Sequence, residues 1–338
     1  MLRCVARLRP GHPRTTLFTK TYTTGRSSIS PRTWTSFNAV KREILHEISD
    51  MSSAPVKVAV GQMCAKNDVL GNFETCKLLA EESKQAGCAM LFLPECFSYI
   101  GSNLADALAV AEPLEGHIMS RYRDLARSTG LWLSLGGFQE TGPDAQHRYN
   151  THVMVDSEGN IVASYRKIHL FDLDLPDGPE PIKLLESSAT APGCQVAACD
   201  SPAGRVGLTV CYDMRFPELY QKLRFEEGAE ILTMPSAFTR PTGEAHWEVL
   251  LRARAIETQC FVVAAAQTGQ HNEKRASYGH AIIINPWGKV IGKLDDPNST
   301  GIAVAEIDLN ELRKIRQNMP LDKHRRYDLY QCKSPACE

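Results

Sequence analysis

Short apolar runs rich in β-branched residues alternate with amphipathic stretches through the chain from Pro55 onwards. Several runs are apolar at nearly every position, which is typical of strands that are covered on both faces. Strands that alternate with helices indicate α/β layers. The strand candidates are the runs 56–60, 89–93, 131–135, 152–155, 206–210, 230–234, 261–265, 281–284 and 302–307.

The stretches between these runs predict helices with recognisable ends. Asn72 is the predicted N-cap of a helix that runs to about Ala86, and Gly87 follows as the glycine that ends it. No internal repeat, low-complexity tract or Gly/Ser linker follows residue 55, so we expect a single domain over residues 51–338. The pattern alone favours a doubly wound parallel sheet, but so many strands could equally form two stacked sheets.

Charge and composition exclude several classes of function. Lys and Arg total 38 and Asp and Glu total 39, so the net charge of −1 gives no reason to expect nucleic acid or a membrane as partner. No apolar run approaches the roughly 20 residues that cross a bilayer, and we expect a soluble protein. The 11 cysteines are scattered, without a CxxC pair or zinc-like spacing, which is typical of free thiols in a reducing compartment.

The first part of the chain, residues 1–50, is a basic leader. Positions 1–42 contain nine Lys or Arg residues and no acid, and they lack the apolar core of a secretory signal. This composition indicates a mitochondrial transit peptide, with a disordered basic arm as the alternative. Met51 lies just before the first strand candidate, so initiation there would yield the domain without the leader. We therefore expect a mitochondrial protein and a cytoplasmic form that begins at Met51.

Three polar residues occupy positions where catalytic groups gather in α/β proteins. Glu95 follows the apolar run 90–93 and Cys211 follows the run 206–210, so each comes at a strand end. Backbone N–H groups at a strand-to-helix turn are expected to lower the pKa of such a thiol. Lys167 is the third candidate. Taken singly, these residues could also be a surface acid, a core cysteine and a solvated lysine.

Together with their neighbours, the three residues resemble the signature blocks of the nitrilase (carbon–nitrogen hydrolase) superfamily, in the family's order. The blocks are Leu93-Pro94-Glu95, Tyr165-Arg166-Lys167-Ile168-His169-Leu170 and Cys211-Tyr212-Asp213-Met214-Arg215-Phe216-Pro217-Glu218. Further matches are Pro235-Ser236-Ala237-Phe238, the stretch from His246-Trp247-Glu248 through Ala253-Arg254-Ala255-Ile256-Glu257, and Asn285-Pro286-Trp287-Gly288. The resemblance extends from about Val56 to Tyr330.

The resemblance implies a fold and a set of roles. The fold would be an α-β-β-α four-layer sandwich, and the protein would form a homo-oligomer through outer helices. Glu95 would be the general base, Cys211 the nucleophile, and Lys167 with the backbone N–H of Tyr212 would stabilise the oxyanion. The product of the first half-reaction would be a thioester.

The family also has a second glutamate after the lysine block, which orients the lysine and the substrate. Glu186 is the candidate for this residue, and Glu180 is the alternative. The chemistry requires no metal and no other cofactor, and none of the ten histidines has convincing ligand spacing.

Within the superfamily, the stretches 130–138, 246–259 and 273–280 resemble the branch of deaminated glutathione amidases. The expected reaction is hydrolysis of the amide bond of deaminated glutathione, which gives 2-oxoglutarate and cysteinylglycine. Such a reaction would be a metabolite-repair role. An ω-amidase acting on 2-oxoglutaramate, an N-carbamoyl hydrolase and a true nitrilase are alternatives, because all share the same catalytic set. A catalytically silent binding scaffold is the alternative from a different class.

The expected substrate is a small dianionic amide, so cationic groups should bind its carboxylates. Arg215 lies four residues after Cys211, and Lys274 and Arg275 form a basic pair in a polar loop. The alternatives are a structural ion pair for Arg215 and a solvated loop for Lys274 and Arg275.

Overall fold

Two stacked β-sheets, each covered by helices on its outer face, form the domain in a computed structural model that describes residues 54–175 and 182–329. The predicted leader, residues 1–50, and the alternative glutamate Glu180 lie outside the described residues. The described residues form one compact unit.

The described residues contain 16 strands: β1 Val56–Met63, β2 Met90–Leu93, β3 Trp132–Asp144, β4 His147–Val155, β5 Ile161–Arg166, β6 Asp172–Leu175, β7 Ile182–Leu185, β8 Ala197–Ser201, β9 Gly204–Leu208, β10 Ile231–Thr233, β11 Phe261–Ala264, β12 Ala266–Gln270, β13 Ala276–Tyr278, β14 Ile282–Ile284, β15 Val290–Lys293 and β16 Gly301–Ile307. The α-helices of this part of the chain are α1 Val69–Gln85, α2 Leu104–Ala109, α3 His117–Thr129, α4 Pro217–Phe225, α5 Arg240–Thr258, α6 Leu309–Asn318 and α7 Leu321–His324.

Each of the two large sheets has a parallel centre and antiparallel edges. The first has the strand order β13-β12-β1-β2-β3-β4-β5, with β16 also paired to β1, and the second has the order β15-β14-β11-β10-β9-β8. Strands β1, β2 and β3 are parallel to one another, as are β9, β10 and β11. The single doubly wound parallel sheet that the pattern favoured is therefore wrong. The chain crosses between the sheets at Ala265, inside one apolar run.

Burial on both faces explains why the strands are apolar at nearly every position. Val58 and Val60 belong to the core between the two sheets, together with Val206. Ala59, which points the opposite way, belongs to the core beneath α1 and α3, together with Leu79. Helices α4 and α5 pack on the second sheet. This arrangement confirms the α-β-β-α four-layer sandwich and the single domain.

The first helix begins one turn earlier than the sequence predicted. Its N-cap is Asp68, whose side chain accepts hydrogen bonds from the N–H groups of Leu70 and Gly71. The predicted cap Asn72 is instead buried, and its side chain bonds the backbone of Lys66. At the other end, Gly87 has the predicted left-handed backbone, with φ of 74°. None of the described helices is long and apolar enough to span a membrane.

Candidate active site

The three predicted catalytic residues meet where strands of both sheets end. Glu95 follows β2 and Lys167 follows β5 in the first sheet, whereas Cys211 follows β9 in the second. All three side chains are buried. The Lys167 Nζ lies 3.0 Å from Glu95 Oε1, and both charges act on the pKa of the Cys211 thiol. The stacking of the two sheets therefore assembles the three groups in one closed site.

The Glu95 carboxylate is held in place by donors from three segments. Its Oε1 accepts from Lys167 Nζ and, at 2.9 Å, from the Asn150 side chain, and its Oε2 accepts from the Ala237 N–H at 3.0 Å. Gly137 makes this packing possible, because a Cβ there would lie 3.0 Å from Glu95 Cγ and 2.7 Å from Asn150 Oδ1. A carboxylate fixed in this way faces the nucleophile without losing further conformational entropy during the reaction.

Lys167 lies between two carboxylates. Its Nζ donates to Glu186 Oε2 at 2.8 Å as well as to Glu95. Burial by itself lowers the pKa of Lys167, but Glu186 and Glu95 outweigh it and hold that pKa well above its ordinary value. The ammonium in turn keeps the pKa of Glu186 low against the effect of burial. Lys167 is therefore a fixed positive charge inside the site.

Cys211 occupies a strained turn, and its surroundings raise the pKa of its thiol. Its φ is 48°, a left-handed conformation that costs on the order of 1–3 kcal/mol for a residue with a side chain. Burial, followed by the charge of Glu95, raises the pKa of Cys211 well above its ordinary value, and Lys167 offsets this only in part. The lowered thiol pKa expected from the turn is thus wrong. Activation requires a base, and Glu95 is within reach.

The residue after the nucleophile offers a second donor for an oxyanion. Tyr212 is the second residue of a short 3-10 helix, Cys211–Arg215, and the N–H groups at the start of such a helix have no partner within it. A negative oxygen formed beside Cys211 could therefore accept from the Tyr212 N–H and from Lys167. This is the geometry of preorganised oxyanion stabilisation.

Comparison with known proteins identifies the family. The model of the family described as Carbon-nitrogen hydrolase matches residues 57–317. The chain belongs to the carbon–nitrogen hydrolase family. Among its relatives, a human protein named deaminated glutathione amidase is 51% identical over 84% of this chain and 86% of its own length. A protein of the same name from Dictyostelium discoideum is 46% identical over 81% of this chain and 95% of its own length.

The solved structures agree with this assignment. The crystal structure of the Caenorhabditis elegans NitFhit protein has a TM-score of 0.76 and 46% identity, covering 83% of this chain and 67% of that one. The chain is thus a hydrolase that acts on carbon–nitrogen bonds. The prediction of a homo-oligomer stays a prediction.

A buried aspartate links the lysine and cysteine segments of this carbon–nitrogen hydrolase. Asp213 is fully buried, and its Oδ2 accepts from the Val210 N–H at 2.9 Å and the Tyr165 hydroxyl at 2.7 Å. Its Oδ1 accepts from the His169 N–H at 3.1 Å and lies 2.7 Å from the His169 Nδ1. The segments around Lys167 and Cys211 are therefore held in register by one carboxylate.

Replacing Asp213 with alanine should remove this link. We expect a loss of at least about 3 kcal/mol in the free energy of unfolding, because several buried donors lose their acceptor, and at least a 100-fold fall in kcat/KM, since about 1 Å of misplacement has that effect. Urea unfolding and steady-state kinetics measure the two. Asp200→Ala, which removes an exposed partner of Arg205, is the control and should change stability by less than about 0.5 kcal/mol. Equal effects of the two substitutions would contradict the linking role.

The predicted substrate-binding cations have different surroundings. Arg215 pairs with no acid among the described residues; its guanidinium lies 5.7 Å from the centre of the Tyr212 ring and 5.6 Å from that of Phe238. Arg275 is exposed on the loop between β12 and β13, yet its charge reaches Cys96, the neighbour of Glu95. No contact in the described part of the chain joins Lys274 to the catalytic groups.

Sequence reasoning gave no role to two residues that organise the site. Asn150 donates to both Glu95 and Glu186, at 2.9 and 3.2 Å. Asp213 stands inside the cysteine block, and its position there does not indicate a role of its own. The signal for Asn150 was a polar residue just before an apolar run, which is too common to be informative. Across residues 54–175 and 182–329, no group of three His, Cys, Asp or Glu side chains could hold a metal ion.

Proposed function

We propose that this carbon–nitrogen hydrolase cleaves the amide bond of deaminated glutathione, giving 2-oxoglutarate and cysteinylglycine. The observation that carries the proposal is the close relationship to proteins of that name, at 46–51% identity, in a chain whose Glu95, Lys167 and Cys211 meet in one closed site. A catalytically silent scaffold would have no need to bury these charges together, because buried charges are costly unless they are used or well paired.

In the first half-reaction, Glu95 accepts the thiol proton as the Cys211 Sγ attacks the carbonyl carbon of the amide. The resulting oxyanion is stabilised by Lys167 Nζ and the Tyr212 N–H. The tetrahedral intermediate collapses, the carbon–nitrogen bond breaks, and Glu95 donates its proton to the departing nitrogen. Cysteinylglycine leaves, and the 2-oxoglutaryl group remains on Cys211 as a thioester.

In the second half-reaction, a water molecule enters the space that the amine has left. Glu95 accepts a proton from this water as its oxygen attacks the thioester carbon, and the same donors stabilise the second oxyanion. The carbon–sulfur bond then breaks, 2-oxoglutarate is released, and Glu95 returns the proton to the Cys211 thiolate. Glu186 remains ionised throughout and keeps Lys167 in place.

The test compares kcat/KM for deaminated glutathione, 2-oxoglutaramate and intact glutathione. We expect deaminated glutathione to have the highest value, and intact glutathione the lowest because its γ-glutamyl group carries an ammonium in place of the 2-oxo group. If 2-oxoglutaramate is the best substrate, the protein is an ω-amidase. Equal cleavage of glutathione would also contradict the proposal.

We also propose that residues 1–50 direct the protein to mitochondria, because nine basic residues and no acid precede Glu43. The full-length chain with a fluorescent protein at its C-terminus should reach mitochondria, and a chain that starts at Met51 should stay in the cytoplasm. Fluorescence microscopy with a mitochondrial marker measures both distributions. Identical distributions would contradict the transit function.

A further inference from the structure

Several buried polar atoms without a hydrogen-bond partner lie on the segments that contact Glu95 and Glu186. They are Nε and Nη1 of Arg148, Oδ1 of Asn150 and Oγ1 of Thr190. Arg148 is only 6% exposed and Thr190 only 1%. Buried polar groups nearly always have partners, so a group of unpartnered atoms indicates that something else binds there.

The strand register places the three residues together. Arg148 and Asn150 are two residues apart on β4 and therefore point to the same face of the first sheet. Thr190 forms an isolated β-bridge with Arg148, supported by backbone hydrogen bonds of 3.0 Å to Ala189 and 2.8 Å from Ala191. Residues paired across a bridge have their side chains on the same face.

This face is the catalytic face of the sheet. The Asn150 side chain donates to Glu95 and Glu186. Arg148 is therefore the next residue on the same face of the strand as the residue that contacts both carboxylates. The charge of Arg148 also contributes, after the larger effects of burial and Lys167, to the low pKa of Glu186. Arg148 thus adds a second buried cation near the site.

Two other arginines of the domain, one exposed and one buried, have acceptors for their guanidinium groups. Arg166, which is exposed on the opposite face of the same sheet, binds both oxygens of Glu140 at 2.9 and 2.6 Å. Arg254 donates to the Met214 carbonyl and to Glu257. The Nε and Nη1 of Arg148 have no such acceptor, although an unpaired guanidinium is costly to bury.

We propose that Arg148, assisted by the Thr190 hydroxyl, binds a carboxylate of the substrate. The free N–H groups of the guanidinium and the hydroxyl are donors, and a carboxylate offers acceptor oxygens for them. The proposal rests on the proposed function for the identity of the substrate, which carries a carboxylate at each end. Its chemical content, a buried carboxylate site next to Glu186, is independent of the leaving group.

The test measures the binding of two carboxylates, 2-oxoglutarate and cysteinylglycine, to the full chain carrying Cys211→Ala, by calorimetry. Because no hydrolysis is needed, this result stays separate from failure of the proposed function. Adding Arg148→Met should weaken the binding of one of the two ligands at least about 30-fold, the scale for loss of a buried charged contact. In the enzyme with Cys211 intact, the same substitution should raise KM more than it lowers kcat.

Thermal unfolding distinguishes this role from a structural one. Removing an unpaired charge should leave the midpoint of Arg148→Met unchanged or higher. The control is Arg205→Met, because Arg205 lies near the start of β9, away from Cys211, and bonds the Glu227 carbonyl and Asp200. This control should lower the midpoint of thermal unfolding and leave the affinities for both ligands unchanged.

If Arg148→Met does not fold, Arg148→Lys, which keeps the charge, provides the test. This variant should also bind one of the two ligands more weakly, because the planar guanidinium group is lost. Wild-type affinity for both ligands in every folded Arg148 variant would overturn the proposal.

Discussion

Replacing Cys211 with alanine is expected to abolish steady-state hydrolysis and leave the fold intact. The substitution removes the atom that forms the thioester in the proposed mechanism. The stability change should be less than about 2 kcal/mol, because only one small buried group is lost and alanine can adopt the same backbone conformation at a similar cost. Steady-state kinetics and urea unfolding of the purified variant measure both quantities.

Cys96→Ala is the matched control for this prediction. Cys96 is also buried and also has a left-handed backbone, with φ of 58°, and it lies next to Glu95 in the chain. Its thiol has no part in the proposed mechanism, so kcat/KM should stay within about threefold of wild type, a change of less than 1 kcal/mol. Turnover by a folded Cys211→Ala protein, or equal losses in the two variants, would remove the nucleophile assignment.

Replacing Lys167 with methionine is expected to lower kcat/KM by about 100- to 1000-fold, the usual effect of losing one oxyanion donor. Cys211 should still react with an iodoacetamide-type probe, because alkylation forms no oxyanion. The loss of the ammonium also leaves Glu95 and Glu186 bridged only by Asn150, so the pKa of Glu186 should rise. Steady-state kinetics measure the fall in kcat/KM, and mass-spectrometric labelling measures the alkylation of Cys211.

Lys222→Met is the control for the Lys167 prediction, since Lys222 makes only an exposed ion pair with Glu226 at 2.9 Å. It should leave kcat/KM within about twofold of wild type. A fall of less than about tenfold for Lys167→Met, equivalent to 1.4 kcal/mol, would show that the lysine is peripheral to the chemistry.

The strands that could be predicted from the sequence are those buried on both faces. Each of the nine apolar runs coincides with a strand, whereas the other seven strands have no matching run. Four of these, β5, β8, β13 and β15, lie at the edges of the two large sheets, where a strand has an exposed side and carries fewer apolar residues. Two more, β6 and β7, form a separate two-stranded sheet, and the seventh, β12, directly continues the run of β11. The crossing of the chain from β11 in one sheet to β12 in the other could not be predicted from the sequence either. Ala265 and its neighbours form a continuous apolar run, and only the tertiary structure assigns its two parts to different sheets.

The helix ends show a similar division. Gly87 and Gly130 end their helices with the left-handed backbone that only glycine adopts without cost, so these ends were predictable. The sequence pattern predicts a helix over 245–259, whereas α5 begins at Arg240, because Pro241 in its first turn is a start signal that the apolar pattern does not include. Glycine is restrictive at a helix end, whereas several residue types can begin a helix.

The residues proposed as catalytic could be named from the sequence only through the family resemblance. A strand end predicts that Glu95 or Cys211 is accessible to a ligand, but it does not show that strands from two different sheets deliver them to one place. The direction of the Cys211 pKa shift depends on that meeting, because Glu95 and burial raise it. Glu186 followed from the family pattern, and its 2.8 Å contact with Lys167 needed the structure.

The most direct test of the account is to detect the thioester itself. Deaminated glutathione is mixed with excess enzyme, the reaction is quenched in acid within the first turnover, and the protein is digested and analysed by mass spectrometry. We predict that the peptide containing Cys211 gains one 2-oxoglutaryl group in place of the thiol hydrogen, and that Cys211→Ala protein gains nothing. Hydrolysis that proceeds with no acyl group on Cys211 at any quench time, or with the group on another cysteine, would contradict it.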